Sequence, residues 1–366
     1  MRSGEAGCRW RPVSMLCLVF ALAGCLVTGA ETLPRSLRVV SHAVLPELRS
    51  IPTDIRWAGD DSVYVAWSRE GVFEIGLDGS RRRQPVPSPK TLGRFEHFNQ
   101  LAVTSKDLAV GSINWYMAWR PRASAADGQV TFQRKSLAVT HDLDLWNDRM
   151  LFLGIPDIPN PFASGAIAWL GRLSSRIEDL KPVLYDVQGA GAKTFYRCEA
   201  YELGAVRFLA DGSFVVVPGF QKGVHLFAPN GEKRRSWTSE ELGLNSDCTG
   251  MSDEEGMRIQ IDPVLWQRWL NAHRVVDDIL SLPQGPGLLV RSVGEDGRAR
   301  WELKVLTANR VRTYAVPVLG RRPLDRLRGD VRDGRIVLLL SASGFNLSPD
   351  PADHQGEILL AEAPND

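Results

Sequence analysis

The chain repeats a pattern of short runs in which apolar and polar residues alternate, separated by tight turns containing Asp, Asn or Gly. Such alternation is typical of β-strands with one buried face, and these turn residues tolerate the positive φ that hairpin turns require. The pattern recurs at residues 54–66, 100–110, 142–153, 205–217, 278–290 and 327–339. It predicts a series of β-hairpins and an all-β fold.

A second hairpin follows most copies of the pattern. In the first copy it turns at Asp78-Gly79, and in the fourth at Asn230-Gly231. Two successive hairpins make a unit of four strands, which is the size of a propeller blade. We therefore predict a six-bladed β-propeller.

The last copy lacks one of its four strands. Only residues 327–331, 335–341 and 357–361 read as strands after its start, whereas residues 37–43 form a strand that belongs to no unit. Adding this N-terminal strand completes the last blade and covers the edge that an open ring would expose. The sequence thus predicts a propeller closed by its N-terminal strand.

The turns inside the first hairpins are not evenly spaced. We place them at Asp61, Asp107, Asp148, Gly212, Gly287 and Gly334. The two longest intervals indicate insertions at about 186–202 and 239–273. Within the second, Asp262 is a good N-cap and Pro263 suits a first helical position, which predicts a small helical insertion between blades four and five.

The first 30 residues have the composition of an export signal, with arginines ahead of an apolar run that is too short to span a membrane. Residues 22–25, Leu-Ala-Gly-Cys, resemble the bacterial lipobox, which implies cleavage before Cys25 and acylation of its thiol. Cleavage after Ala30 by an ordinary signal peptidase is the alternative. We predict a signal peptide over 1–30 and a single propeller domain over 31–366.

Charge and cysteine content narrow the setting. Lys and Arg number 44 against 43 Asp and Glu, so nothing favours a nucleic-acid partner. Outside the signal and Cys25, the remaining cysteines are Cys198 and Cys248. In an oxidising compartment these two form a disulfide, or else remain two separately buried thiols.

The chain contains no HExxH, GxSxG, Walker A, CxxC or dinucleotide-binding motif. Any chemistry would have to be assembled in a shared channel by residues from several blades. Near the start of each innermost strand stands a side chain with an oxygen ligand, and these are Asp54, Asn99, Asp142, Glu202, Asp278 and Asp325. They are the candidate ligand-binding residues of the channel.

The repeat resembles the six-bladed propellers of the NHL and TolB-like type found in exported bacterial proteins, over nearly all of residues 37–363. The resemblance supports the fold, and the absence of catalytic motifs favours a non-catalytic scaffold, a monomer that binds a small ligand or an envelope protein. It would be periplasmic or a lipoprotein of the outer membrane, touching the membrane only through a lipid anchor, or otherwise secreted.

The alternative is a calcium-dependent hydrolase. Propeller lactonases hold Ca²⁺ in the channel with carboxylate and amide oxygens from several blades. That likeness implies Asp54, Asn99, Asp142 and Asp278 as metal ligands, and His141, which is followed by Asp142 and Asp144, is the candidate base. However, Asp and Asn are also favoured where a loop enters a strand, because they bond nearby backbone N–H groups.

Overall fold

The computed structural model describes residues 35–92, 97–112, 116–121, 133–156, 166–173, 177–185, 204–218, 223–245, 254, 258, 262–342 and 355–365. The predicted signal peptide with Cys25, the insertion at 186–202, Glu202 and the predicted Cys198–Cys248 disulfide all lie outside these residues. No helix in the described ranges is long and apolar enough to cross a membrane.

Short strands make up almost all of the described structure, with a 3-10 turn at Pro89–Leu92 and one α-helix, α1, at Pro263–Ala272. The strands are β1 Arg35–Ser36, β2 Val39–Val44, β3 Pro52–Trp57, β4 Ser62–Trp67, β5 Gly71–Gly76, β6 Arg81–Val86, β7 Gln100–Val103, β8 Asp107–Ser112, β9 Tyr116–Pro121, β10 Gln133–Trp146, β11 Arg149–Pro156, β12 Ala166–Leu173, β13 Ile177–Tyr185, β14 Ala205–Phe208, β15 Phe214–Val217, β16 Val224–Phe227, β17 Lys233–Trp237, β18 Val275–Leu282, β19 Gly285–Val293, β20 Ala299–Leu306, β21 Val311–Leu319, β22 Arg326–Arg332, β23 Arg335–Ser341 and β24 Glu357–Glu362.

These strands form five hydrogen-bonded sheets. Four of them are β3–β6, β14–β17, β18–β21 with β1, and β22–β24 with β2, and the fifth holds the seven strands β7–β13. The prediction of six separate four-stranded units is corrected here. The 14-residue β10 is continuous, so its residues 133–136 pair with β9 while residues 137–146 pair with β11, which joins two predicted units into one sheet.

The strands that begin each predicted unit surround a common axis. In the order β3, β7, β10, β14, β18 and β22, each packs against the next, and β22 packs against β3. Apolar side chains fill the space between neighbouring sheets; for example, Leu151 of β11 packs with Phe208, Phe214 and Phe227 of the following sheet. Antiparallel sheets arranged radially around an axis make the fold a β-propeller, as the sequence predicts.

The N-terminal segment ties two sheets together. As predicted, β2 pairs antiparallel with β24 and completes a four-stranded sheet. The sequence did not reveal that β1, two residues earlier, pairs parallel with β21 of the neighbouring sheet. Leu37, between these two strands, is buried. The segment therefore closes the ring through contacts with both sheets.

Most predicted turns lie where the pattern placed them. Gly79 and Gly231 have φ of +85° and +91° in the hairpins β5–β6 and β16–β17. The turn predicted at Gly287 is wrong, because this residue lies inside β19 opposite Leu280. The turn falls earlier, at residues 283–284. The pair Pro283-Gln284 lacks the Asp-Gly or Asn-Gly signal on which the prediction relied.

Two turn glycines make a matched test of packing at the ring axis. Gly212 and Gly334 have similar φ, +78° and +72°, so alanine at either position costs about 1–2 kcal/mol of backbone strain. A Cβ on Gly212 would lie 2.6 Å from Trp146 Cη2, whereas one on Gly334 meets nothing within 4 Å. We expect urea unfolding to show that Gly212→Ala loses about 1–3 kcal/mol more stability than Gly334→Ala. Equal losses would mean that Trp146 does not pack on this turn.

Helix α1 begins as predicted. Asp262 Oδ1 accepts hydrogen bonds from Val264 N at 2.9 Å and Leu265 N at 3.2 Å, which is the geometry of an N-cap. Trp269 is buried and its ring stacks on that of His273, with 3.7 Å between the centroids. Most of residues 246–261 lie outside the described ranges, so the helical insertion over 239–273 stays a prediction.

Candidate functional site

Polar side chains connect each innermost strand to the next. In each pair of neighbouring innermost strands around the ring, a side chain of one strand bonds the backbone of the other. In four pairs an aspartate accepts: Asp54 Oδ2 from Leu101 N (2.8 Å), Asp142 Oδ2 from Val206 N (2.9 Å), Asp278 Oδ2 from Gly329 N (2.9 Å) and Asp330 Oδ2 from Trp57 N (2.9 Å). In the other two pairs the side chain donates: Gln100 Nε2 to His141 O (3.1 Å) and Arg207 Nε to Ile279 O (2.9 Å). All six junctions of the ring are bridged in this way.

Three arginines lie on the axis among these carboxylates. We call the set the axial cluster; it comprises Arg56, Arg207, Arg328, Asp54, Asp142, Asp144 and Asp278, each at most 5% exposed. Arg56 Nη1 lies 2.6 Å from Asp54 Oδ1, and Arg207 Nη2 lies 3.0 Å from Asp278 Oδ1. Burying a charge is costly unless an opposite charge lies nearby, and each charged group of the axial cluster has an opposite charge no more than 3.9 Å away.

Arg328 shares its charge between two carboxylates. Its Nη1 lies 3.7 Å from Asp142 Oδ1 and 3.6 Å from Asp278 Oδ1, which is too long for a hydrogen bond to either. Asp278 is the better stabilised of the two, because it also accepts hydrogen bonds from Ile279 N and from Arg207. The two buried acids consequently differ in pKa.

Burial raises the pKa of Asp142 to about 6; the charge of Arg328 opposes this effect, and that of Asp278 adds to it. Burial also acts to raise the pKa of Asp278, but Arg207 and Arg328 outweigh it and lower that pKa to about 2. At neutral pH Asp278 is therefore firmly ionised, whereas Asp142 takes up a proton under mildly acidic conditions.

This difference makes the stability depend on pH. The pKa of Asp142 is higher in the folded chain than its ordinary value, so its contribution to the unfolding free energy is full below about pH 4 and is lost as pH rises through about 6. Asp278, with its lowered pKa, loses its contribution only as pH falls towards about 2. We expect the unfolding free energy of the wild-type protein to fall relative to that of D142N between pH 4 and pH 7, measured by urea denaturation. A constant difference over that range would contradict the assignment.

The structure brings three of the four predicted calcium ligands, Asp54, Asp142 and Asp278, near the axis, and calcium binding there stays a prediction. Guanidinium and backbone N–H groups bond both carboxylate oxygens of Asp54 and of Asp278. Asp142 Oδ2 accepts from Val206 N, whereas its Oδ1 has no hydrogen bond within the described residues. The backbone of Asn99 bonds Gly111 on the neighbouring strand. In the described ranges no group of three or more His, Cys, Asp or Glu side chains is placed to hold a metal ion. Arg56, Arg207 and Arg328 were missed from the sequence. Only Arg207 had a local signal, because the rest of its strand β14, Ala205–Phe208, is apolar, whereas the strands of Arg56 and Arg328 contain several polar residues.

The structure places Asp325 in the loop before β22 and His141 on β10. Asp325 Oδ2 accepts hydrogen bonds from Arg321 N at 2.5 Å and Arg322 N at 3.1 Å, so it closes the loop before β22. His141 is buried, and burial together with Arg326 lowers its pKa to about 4. Neither residue lines the cavity described next, so neither is placed to act on a ligand there.

A cavity of about 760 Å³ opens at one end of the axis, directly over the axial cluster. Four inner-strand residues, Arg56, Asp144, Arg207 and Asp330, form what we call its floor. Its wall and rim come from the hairpins β10–β11, β14–β15, β18–β19 and β22–β23. Val103 of β7 also lines the cavity. The residues from the four hairpins are Leu145, Trp146, Phe208, Leu209, Ala210, Asp211, Ser281, Leu282, Pro283, Gln284, Gly285, Val331, Arg332, Asp333 and Gly334. The size and the mixture of apolar wall and few polar groups are those of a ligand site.

No protein-family model matches the chain, and no curated protein matches it in sequence. Among solved structures it is similar to a chain in a crystal structure of the mitotic checkpoint complex (10% identity, TM-score 0.47, covering 85% of this chain and 74% of that one). It is also similar to the WD40 β-propeller domain of Doa1 (11%, 0.44, 89% and 97%) and to the β-propeller domain of Cps50 (Swd1) from Myceliophteria thermophila (9%, 0.46, 87% and 99%). The sheet arrangement described above defines this chain as a β-propeller protein.

Proposed function

We propose that this protein is a non-catalytic propeller scaffold that binds a ligand or protein segment in the cavity over the axial cluster. The observation that carries the proposal is the cavity itself, whose floor is made of side chains already engaged in holding the ring together. Hydrogen bonds fix such side chains in position, so they can recognise a partner. The same bonds leave them little freedom to act as acids, bases or nucleophiles.

The proposal extends to the kind of propeller and the cellular setting. The repeated strand pattern over residues 37–363 supports a relationship to the NHL and TolB-like propellers. The signal-like residues 1–30 support an exported bacterial protein, periplasmic or anchored in the outer membrane, or otherwise secreted.

Binding at the cavity is tested by photo-crosslinking in cells of the source organism. Ala210 is exposed and lines the cavity, whereas Ala308 is exposed in the β20–β21 turn and does not. A photoreactive phenylalanine analogue introduced at position 210 is expected to give a discrete adduct, and the same analogue at position 308 none. If a folded protein gives no adduct specific to position 210, the cavity is not its binding site and the proposal is wrong.

The lipid anchor makes a separate prediction. Cys25→Ser is expected to abolish incorporation of labelled palmitate and to release the protein from the membrane fraction, because the thiol is the acylated group. Cys17→Ser, within the apolar run of the signal, is the matched control and should change neither result. Palmitate in the Cys25→Ser protein would contradict the anchor, and its absence from the unaltered protein would favour release after Ala30.

A further inference from the structure

We propose that the cavity over the axial cluster binds a neutral, polyhydroxylated ligand, a saccharide. This inference rests on the proposed function and specifies the chemical class of its ligand. It is carried by the balance of charges on the cavity floor, by the hydrogen-bonding state of Arg56, and by the wall.

The two guanidinium groups and two carboxylates of the floor pair with one another only loosely, although Arg207, Asp144 and Asp330 each also bond the backbone of the ring. Arg207 Nη1 lies 3.9 Å from Asp144 Oδ1 and 4.0 Å from Asp330 Oδ1, beyond hydrogen-bond distance. Asp330 is the most accessible member, with 23% of its side chain exposed. Both donors and acceptors on the floor therefore retain capacity for a ligand.

Arg56 supplies the independent observation. Its side chain is 2% exposed, and its Nη1 bonds Asp54 Oδ1 and Ile55 O. Its Nε and Nη2 have no hydrogen-bond partner within the described part of the chain. Buried donors without acceptors are costly, so a ligand that brings acceptor oxygens to this floor is favoured.

The ligand must be neutral to satisfy the whole floor. An anion would be attracted by Arg56 and Arg207 but repelled by Asp144 and Asp330, and a cation would meet the reverse. A hydroxyl group donates one hydrogen bond and accepts up to two. Neighbouring hydroxyls of a sugar ring can therefore donate to the carboxylates and accept from the guanidinium groups without adding charge.

The wall suits the same ligand. Trp146 and Val331 are partly exposed on the cavity wall, where they pack beside the buried Phe208 and Leu282 respectively. The C–H faces of a sugar ring are apolar and pack on such side chains, while its hydroxyls reach the floor. The cavity volume of about 760 Å³ leaves room for more than one ring.

The test uses the full mature chain on an array of neutral, acidic and basic glycans, followed by calorimetric titration of the best-binding glycan. We expect a neutral glycan to bind best, and Ala210→Trp, which narrows the cavity mouth, to weaken it about tenfold or more. Ala308→Trp, the same change on an exposed turn away from the cavity, should leave the affinity unchanged.

Three results would overturn the proposal of a saccharide ligand: no glycan binds, only charged glycans bind, or Ala210→Trp has no effect on binding. The crosslinking experiment keeps this separate from the proposed function. An adduct at position 210 with an empty glycan array would retain the cavity as a binding site and reject only its saccharide ligand.

Discussion

Replacing Asp278 by alanine is expected to lower the free energy of unfolding by about 3–5 kcal/mol, the loss typical when one partner of a buried ion pair is removed. Asp278 is fully buried on β18 and accepts hydrogen bonds from Ile279 N, Gly329 N and Arg207 Nη2. Without it, two backbone N–H groups and the Arg207 guanidinium lose an acceptor in the ring interior, and Arg328 loses a neighbouring negative charge. Urea denaturation measures the loss.

An exposed acid gives the matched control. Asp296 pairs with Arg300 at 2.9 Å on a surface turn, and its replacement by alanine should cost no more than about 1 kcal/mol. A double-mutant cycle with Arg207→Met isolates the pair, because the double variant should lose less than the sum of the two single losses. Additive losses, or equal losses for Asp278 and Asp296, would show that the axial cluster does not stabilise the ring.

Deleting the N-terminal segment is expected to have a comparable or larger effect. A chain that starts at residue 46 lacks β1 and β2, and with them Leu37 and Leu45, which are 4% and 2% exposed. Burying two such leucines contributes about 3–6 kcal/mol, a large share of the 5–15 kcal/mol typical of a folded protein. The deletion also uncovers the edges of β21 and β24, and uncovered edges favour aggregation.

A chain that starts at residue 35 is the control, since it keeps both strands and should unfold like the full mature protein. We expect the shorter chain to unfold at markedly lower urea concentration and to elute as aggregates from size exclusion. A synthetic peptide of residues 35–45 should restore a monomer. If the chain from residue 46 is as stable as the one from residue 35, the two strands do not close the ring.

Local features of the sequence were sufficient for much of the fold. Alternating polarity and the glycines of hairpin turns act over a few residues, so the hairpins β5–β6 and β16–β17 and the strand β2 could be predicted. The turn at Pro283-Gln284 was missed because a hairpin turn without glycine has no strong local signal. The continuous strand β10 was missed for a similar reason, since nothing in its residues shows where one unit ends and the next begins.

The sequence by itself determined that the protein is all-β, that strands come in repeating units and that the N-terminal strand joins the last one. Only the tertiary structure decided what the axial carboxylates do. Asp54, Asp142 and Asp278 are far apart along the chain, and the sequence does not distinguish a metal ion from an arginine as the partner of their carboxylates. The ring brings Arg56, Arg207 and Arg328 among them, because contacts across an axis depend on the closure of the whole propeller rather than on neighbouring residues.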